Sequence, residues 1–116
     1  MIVKQSSLEG IIFDGLTIYD YTAGSSLESS VALIHVPNGT GHPNAWSRRS
    51  DKYYLVVEGE IQFVLRGAES VLAKGDFCYV KQGDHFSYHN STQKPATLVL
   101  MHTPSFDLSA EVFGED

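Results

Sequence analysis

Only one cysteine, Cys78, occurs in the 116 residues, so no internal disulfide can form. Its place inside a strand-like run predicts a buried, inert thiol rather than a nucleophile. Basic residues are scarce: eight Lys and Arg stand against fourteen Asp and Glu, for a net charge of -6 and a pI near 5.2. That average surface repels nucleic acid and anionic membranes, which argues against either as the main partner. No stretch approaches the roughly 20 apolar residues of a membrane span, and the amino-terminal MIVKQSSLEGIIFDG lacks an apolar run of secretory-signal length. A cytoplasmic protein is therefore expected, and the glycosylation-like triplet Asn90-Ser91-Thr92 carries no meaning in that setting. Helical periodicity is almost missing, and there is neither an internal repeat nor a low-complexity segment.

What the chain does have is β-rich runs punctuated by turn residues. With 42% hydrophobic residues, its length suits one domain spanning 1–116. Strand candidates run over 10–13 and 16–22, joined by an Asp14-Gly15 hairpin turn, and then over 30–36, closed by Pro37-Asn38-Gly39. An irregular loop feeds a strand at 52–57, which turns at Glu58-Gly59 into 60–65. Further strands are predicted at 69–72, 77–80, 85–90 and 96–103. Only the tail, 107–113, reads as helical, with Asp107 placed to cap a short turn. Many short strands between turns argue for a closed or sandwiched all-β domain.

Two segments, 39–59 and 75–90, carry glycines at restrictive spacings. The first runs Gly39, five residues, Ala45-Trp46-Ser47, four residues, Lys52, six residues, Gly59. The second runs Gly75, five residues, Lys81-Gln82-Gly83, two residues, Phe86, three residues, Asn90. This pattern resembles the two motifs of the cupin family, and the 15 residues between Gly59 and Gly75 match the short separation usual in its bacterial members. The ending His102 to Phe113 also resembles the tail of a common group of small cupins. The resemblance implies an all-β cupin jelly-roll barrel with a short carboxy-terminal helical turn. It also implies a homodimer paired through amino-terminal strands, where Ile11, Ile12 and Phe13 offer an apolar edge. In the family a His-x-His, a Glu and a later His hold one metal ion. Ala45, Ser47, Lys52 and Phe86 stand at those positions here, so no metal and no cofactor is expected at the usual place.

Strand alternation predicts which side chains share the barrel interior. With Lys52 inward, Tyr54 and Val56 follow, while Tyr53 and Leu55 point out; Phe86, Tyr88 and Asn90 share the inner face, and His85 and His89 the outer. The expected ligand site is thus Lys52, Tyr54, Phe86 and Tyr88, with Trp46, Arg48 and Arg49 on a loop above. A buried ammonium needs compensation from an acidic ligand, from a carboxylate such as Asp51, or through a depressed pKa. An anionic or sugar-like metabolite would supply it, and Lys52→Met would then abolish binding while leaving the fold intact. Each residue also has a plainer role: Lys52 snorkelling to solvent, Arg48 and Arg49 in a solvated cluster, the aromatics as core, Trp46 as a lid, plug or dimer contact. His85 and His89 lie about 13 Å apart along a strand, too far to share an ion. His42, His35 and His102 remain candidates for a rearranged metal site. Three function classes follow: a metal-free binding cupin, a metal-independent isomerase, epimerase, cyclase or lyase using a pocket His and Tyr, and a structural or interaction barrel packed shut. His35 or His102 inside the barrel would favour the second.

Overall fold

The computed structural model describes residues 1–114 and is built almost wholly of antiparallel strands. They are β1 (Ile11–Phe13), β2 (Leu16–Asp20), β3 (Ser30–Val36), β4 (Gly41–Ser47), β5 (Asp51–Glu58), β6 (Glu60–Leu65), β7 (Ala68–Ala73), β8 (Phe77–Val80), β9 (Phe86–His89), β10 (Ala96–Thr103) and β11 (Glu111–Phe113). One sheet has the order β1-β2-β3-β10-β5-β8 and the other β11-β4-β9-β6-β7. Apart from the consecutive pairs β1-β2, β2-β3 and β6-β7, neighbours in the sheets are distant in sequence, as in a jelly roll.

Local chemistry sets the turns. Asp14 and Gly15 both take positive φ, 49° and 85°, the pair of left-handed residues that a two-residue hairpin needs between β1 and β2. Gly59 turns β5 into β6 at φ 79°, and a Cβ there would sit 2.6 Å from the Pro95 carbonyl oxygen. Any larger residue would push β10 away from the hairpin.

The sheets close on alternate side chains. Tyr54, Val56, Phe63, Phe86, Leu98 and Leu100 are buried between them, each contributing about 1.5–3 kcal/mol by removal from water. Asn90, fully buried, pins the barrel end: its Nδ2 donates to the carbonyls of Val36 and Lys94, and its Oδ1 accepts from the amide and hydroxyl of Thr92. Cys78 is half-buried against the core, and burial raises its thiol pKa, which keeps it protonated.

Two expectations change. Residues 41–47, read as an irregular loop, form strand β4, paired with β9 on one side and β11 on the other. Gly41, Pro43 and Asn44 have loop composition, but Pro43 falls in a bulge between His42 and Ala45, where no ladder donor is required. The tail is not helical to its end. Asp107 does cap a 3₁₀ turn, Leu108–Ala110, accepting from the Ser109 amide at 3.0 Å, but Glu111–Phe113 then pairs with Ser47, Trp46 and Ala45 of β4. Sheet pairing overrides local preference there, and it brings Glu111 inside.

Candidate functional site

A cavity of about 270 Å³ opens into one end of the barrel. Its deep part holds His42, Lys52, Tyr54, Tyr88, His102 and Glu111, and exposed Ile11, Ile12, Phe106 and Leu108 lie along its border. The alternation expected of β5 and β9 is what the structure shows. Lys52, Tyr54, Phe86 and Tyr88 are buried inward, whereas Leu55 and His89 are exposed.

Lys52 is the electrostatic centre. Its Nζ donates to Glu111 Oε1 at 2.5 Å and to His102 Nε2 at 2.8 Å, and lies 5.5 Å from the centre of the Phe86 ring. Both members of the ion pair are nearly excluded from solvent, with side chains 4% and 5% exposed. Burial lowers the Lys52 pKa, opposed by the Glu111 carboxylate. The compensation a buried ammonium requires therefore comes from Glu111. Asp51, the carboxylate expected there, instead accepts from the Gln82 amide at 2.7 Å. Lys52 does not snorkel outward.

For both cavity histidines burial favours the neutral ring, and the hydrogen-bond partner assigns the tautomer. An ammonium can only donate, so His102 Nε2 is the acceptor and its proton sits on Nδ1. Burial, then Lys52, then His42 hold its pKa down to about 3. His42 Nδ1 lies 2.8 Å from the Pro43 carbonyl, which can only accept, so Nδ1 carries the proton and Nε2 the lone pair. Burial lowers the His42 pKa as well, opposed by the Pro43 carbonyl and aided by Lys52. The ring packs among Phe13, Phe86, Tyr88 and Phe113 at centroid distances of 4.9 to 5.9 Å. Tyr54 and Tyr88 stay protonated, because burial raises both phenols. Two buried polar atoms of the site, Tyr88 Oη and Glu111 Oε2, have no hydrogen-bond partner among the described residues.

These shifts have a stability signature. An unfolded histidine titrates near 6.5, whereas folded His102 does so at about 3. Between those values the unfolded chain binds the extra proton, so the contribution of neutral His102 is fully present above about pH 6.5 and is lost as pH falls towards 3. Thermal unfolding should show Tm dropping through that window, and His102→Gln should flatten the drop. Identical pH slopes for the two proteins would contradict the buried neutral ring.

Trp46, Arg48 and Arg49 are not brought to the cavity. Alternation along β4 turns Ala45 and Ser47 inward and Trp46 outward, where its ring stacks on His85 at 5.9 Å and carries the Arg48 guanidinium 5.0 Å above it. Arg49 donates through Nε to the Ser105 carbonyl at 2.9 Å. His35 lies on the outward face of β3, paired with Thr97, so of the three candidate histidines only His42 and His102 enter. Sequence reasoning missed Glu111, Phe13 and Phe113. A strand reading of Glu111-Val112-Phe113 was the available signal, and the demand for a carboxylate near Lys52 could have prompted it.

A model of the cupin domain matches residues 32–102. The chain belongs to the cupin family. The cupin metal position does not fit a metal here: Ala45 and Phe86 have no donor, Ser47 Oγ accepts from the amides of Arg49 and Ser50, and Lys52 places a positive charge there. Nor, among the described residues, do three or more His, Cys, Asp or Glu cluster to hold an ion elsewhere. No helix among them is long and apolar enough to cross a membrane.

This cupin is 33% identical over 67 residues to a β-D-galactosidase of Mycobacterium tuberculosis, an alignment covering 58% of this chain and 56% of that protein. The match thus spans little more than half the length of the curated relative. Among solved structures, Pac13 of Streptomyces, a nucleoside dehydratase, superposes with a TM-score of 0.86 at 19% identity, over 99% of this chain and 91% of its own. Variants of Pac13 with a histidine or either of two tyrosines replaced have been determined with uridine. A sugar phosphate isomerase of the cupin superfamily from Silicibacter pomeroyi superposes at 0.80 with 19% identity, covering 100% of this chain and 93% of that one. At such identities the likeness is one of fold.

Proposed function

We propose that this cupin is a metal-independent acid–base lyase that removes water from a small hydroxylated metabolite of sugar or nucleoside type. The observation that carries the reading is His42: a neutral imidazole with Nδ1–H committed to Pro43, and hence a basic Nε2, in the same cavity as Lys52, Tyr54 and Tyr88. A lone pair held neutral at physiological pH is what a general base needs.

In the elimination, His42 Nε2 takes a proton from a carbon beside an electron-withdrawing group. The C–H electrons become the new double bond, the neighbouring C–O bond breaks with its pair on oxygen, and a proton from Lys52 converts the departing hydroxyl to water. Lys52 suits this role, because burial makes its ammonium more acidic than an exposed one and two of its three N–H bonds are already oriented by Glu111 and His102. Tyr88 Oη, protonated and without a partner among the described residues, can hold the substrate oxygen during transfer. The dehydratase activity of the structurally similar Pac13 supports this class of reaction. A glycosidase, as the curated relative is, would generally need two carboxyls across the scissile bond. Of the cavity carboxyls, Asp20 already accepts from the amide and hydroxyl of Thr22, which leaves Glu111.

The test is incubation of the purified protein with neutral and phosphorylated sugars, nucleosides and their oxidised forms. Mass spectrometry should find a product lighter by one water. Enzyme-dependent hydrolysis of glycosides without dehydration would replace this reading with the hydrolytic one.

A further inference from the structure

Among the described residues Lys52 is the one Lys or Arg bordering the cavity, and its charge is already answered within the protein by Glu111. Asp20 borders the same cavity, so the carboxylates there outnumber the ammonium. The residues expected to attract an anion at the mouth, Arg48 and Arg49, are held on Trp46 and Ser105 instead. Ile11, Ile12, Phe13 and Leu108 line it without charge. What the cavity does present are two buried polar atoms lacking a partner among the described residues, Glu111 Oε2 and Tyr88 Oη.

A buried carboxylate oxygen left unpaired costs free energy until a donor reaches it. A ligand hydroxyl or N–H is such a donor. A phosphate or carboxylate would set lone pairs against lone pairs, with Lys52 already neutralised.

We infer that Glu111 is a resident counter-anion that makes this cavity select uncharged hydroxylated ligands: its Oε2 accepts from a ligand hydroxyl while its Oε1 withholds Lys52 from phosphate and carboxylate groups. The inference rests on the acid–base reading only in taking this cavity as the functional site, and it replaces an anionic ligand with a neutral one. Glu111 is then the residue that sets specificity, and removing its charge uncovers an anion site at Lys52.

Calorimetric titration with uridine against uridine 5′-monophosphate, galactose against galacturonate, and inorganic sulfate tests this without requiring turnover. The wild type should bind the neutral member of a pair at least about tenfold more tightly than the charged one, and should not bind sulfate. Glu111→Gln should lose about tenfold in affinity for the neutral ligand and gain affinity for sulfate, and the gain should vanish in Lys52→Met/Glu111→Gln. Wild-type preference for the charged members, or sulfate binding by the wild type, would overturn the inference while leaving the lyase reading intact. So would a folded Glu111→Gln that gains no sulfate affinity; this arm decides alone where no organic probe binds. Should Glu111→Gln lose its strand-rich circular dichroism, Glu111→Asn takes its place in the same titrations. Neutral ligands bound selectively but never dehydrated would support this inference and count against the lyase alone.

Discussion

His42→Gln is expected to lower turnover of the dehydrated substrate by about a hundred- to ten-thousand-fold, the usual contribution of a positioned general base, with KM changed far less. Glutamine can still donate to the Pro43 carbonyl and fill much of the space between Phe13 and Phe86, so the barrel should hold. What it lacks is a basic nitrogen. The wild-type pH profile supplies an independent readout. Because burial lowers the His42 pKa from 6.5, kcat/KM should stay level through neutral pH and decline only below the ordinary histidine range, as the ring gains its proton. Equal losses in kcat and kcat/KM would place the interaction in the transition state. A folded variant within about threefold of the wild type would remove His42 from the chemistry, since threefold is well under 1 kcal/mol of barrier.

How this site could be read from the chain divides along physical lines. Glycines that need positive φ, such as Gly59, and the two-residue alternation of β5 and β9 are local constraints, and local constraints are written in sequence. They specify the inward set Lys52, Tyr54, Phe86 and Tyr88 and the outward set Tyr53, Leu55, His85 and His89 from the chain alone. The non-local parts were hidden. Residues 41–47 carry Gly, Pro and Asn, and only their pairing with β9 and β11 makes them a strand. That strand turns Trp46 outward and leaves His42 inward beside the bulge, so a loop reading could place neither. Glu111 is the extreme case, because three residues are too few to show a period and its partner Lys52 lies 59 positions away in the chain. A buried ammonium must be compensated, and that demand points to a carboxylate; which carboxylate answers it is decided by the pairing of Glu111–Phe113 with β4.

Lys52→Met should therefore cost far more than the sequence implied when it suggested an intact fold. The substitution removes the ammonium but leaves Glu111 in its buried position, with Oε1 and Oε2 both unpaired. Breaking one side of a buried pair costs about 3–5 kcal/mol, which for a domain of this size is a fall in Tm of roughly 10–25 °C. His102 adds to the loss, since its Nε2 gives up the 2.8 Å hydrogen bond from Lys52. An internal control is Lys74–Glu58, a 4.0 Å pair with side chains 72% and 68% exposed. Lys74→Met should change stability by less than about 1 kcal/mol, because water screens such a pair. The decisive variant is Lys52→Met/Glu111→Leu. Replacing both members of a buried ion pair with apolar groups of similar volume is often neutral or stabilising, so the double variant should recover most of the lost stability in chemical denaturation. It should not recover ligand binding or turnover, since the acid, the counter-anion and the hydroxyl acceptor are all gone. A single Lys52→Met variant that lost less than about 1 kcal/mol would mean that Glu111 reaches water or another donor once Lys52 is removed. Full recovery of stability with continued loss of function would instead mark the Lys52–Glu111 pair as a device kept for the ligand rather than for the fold.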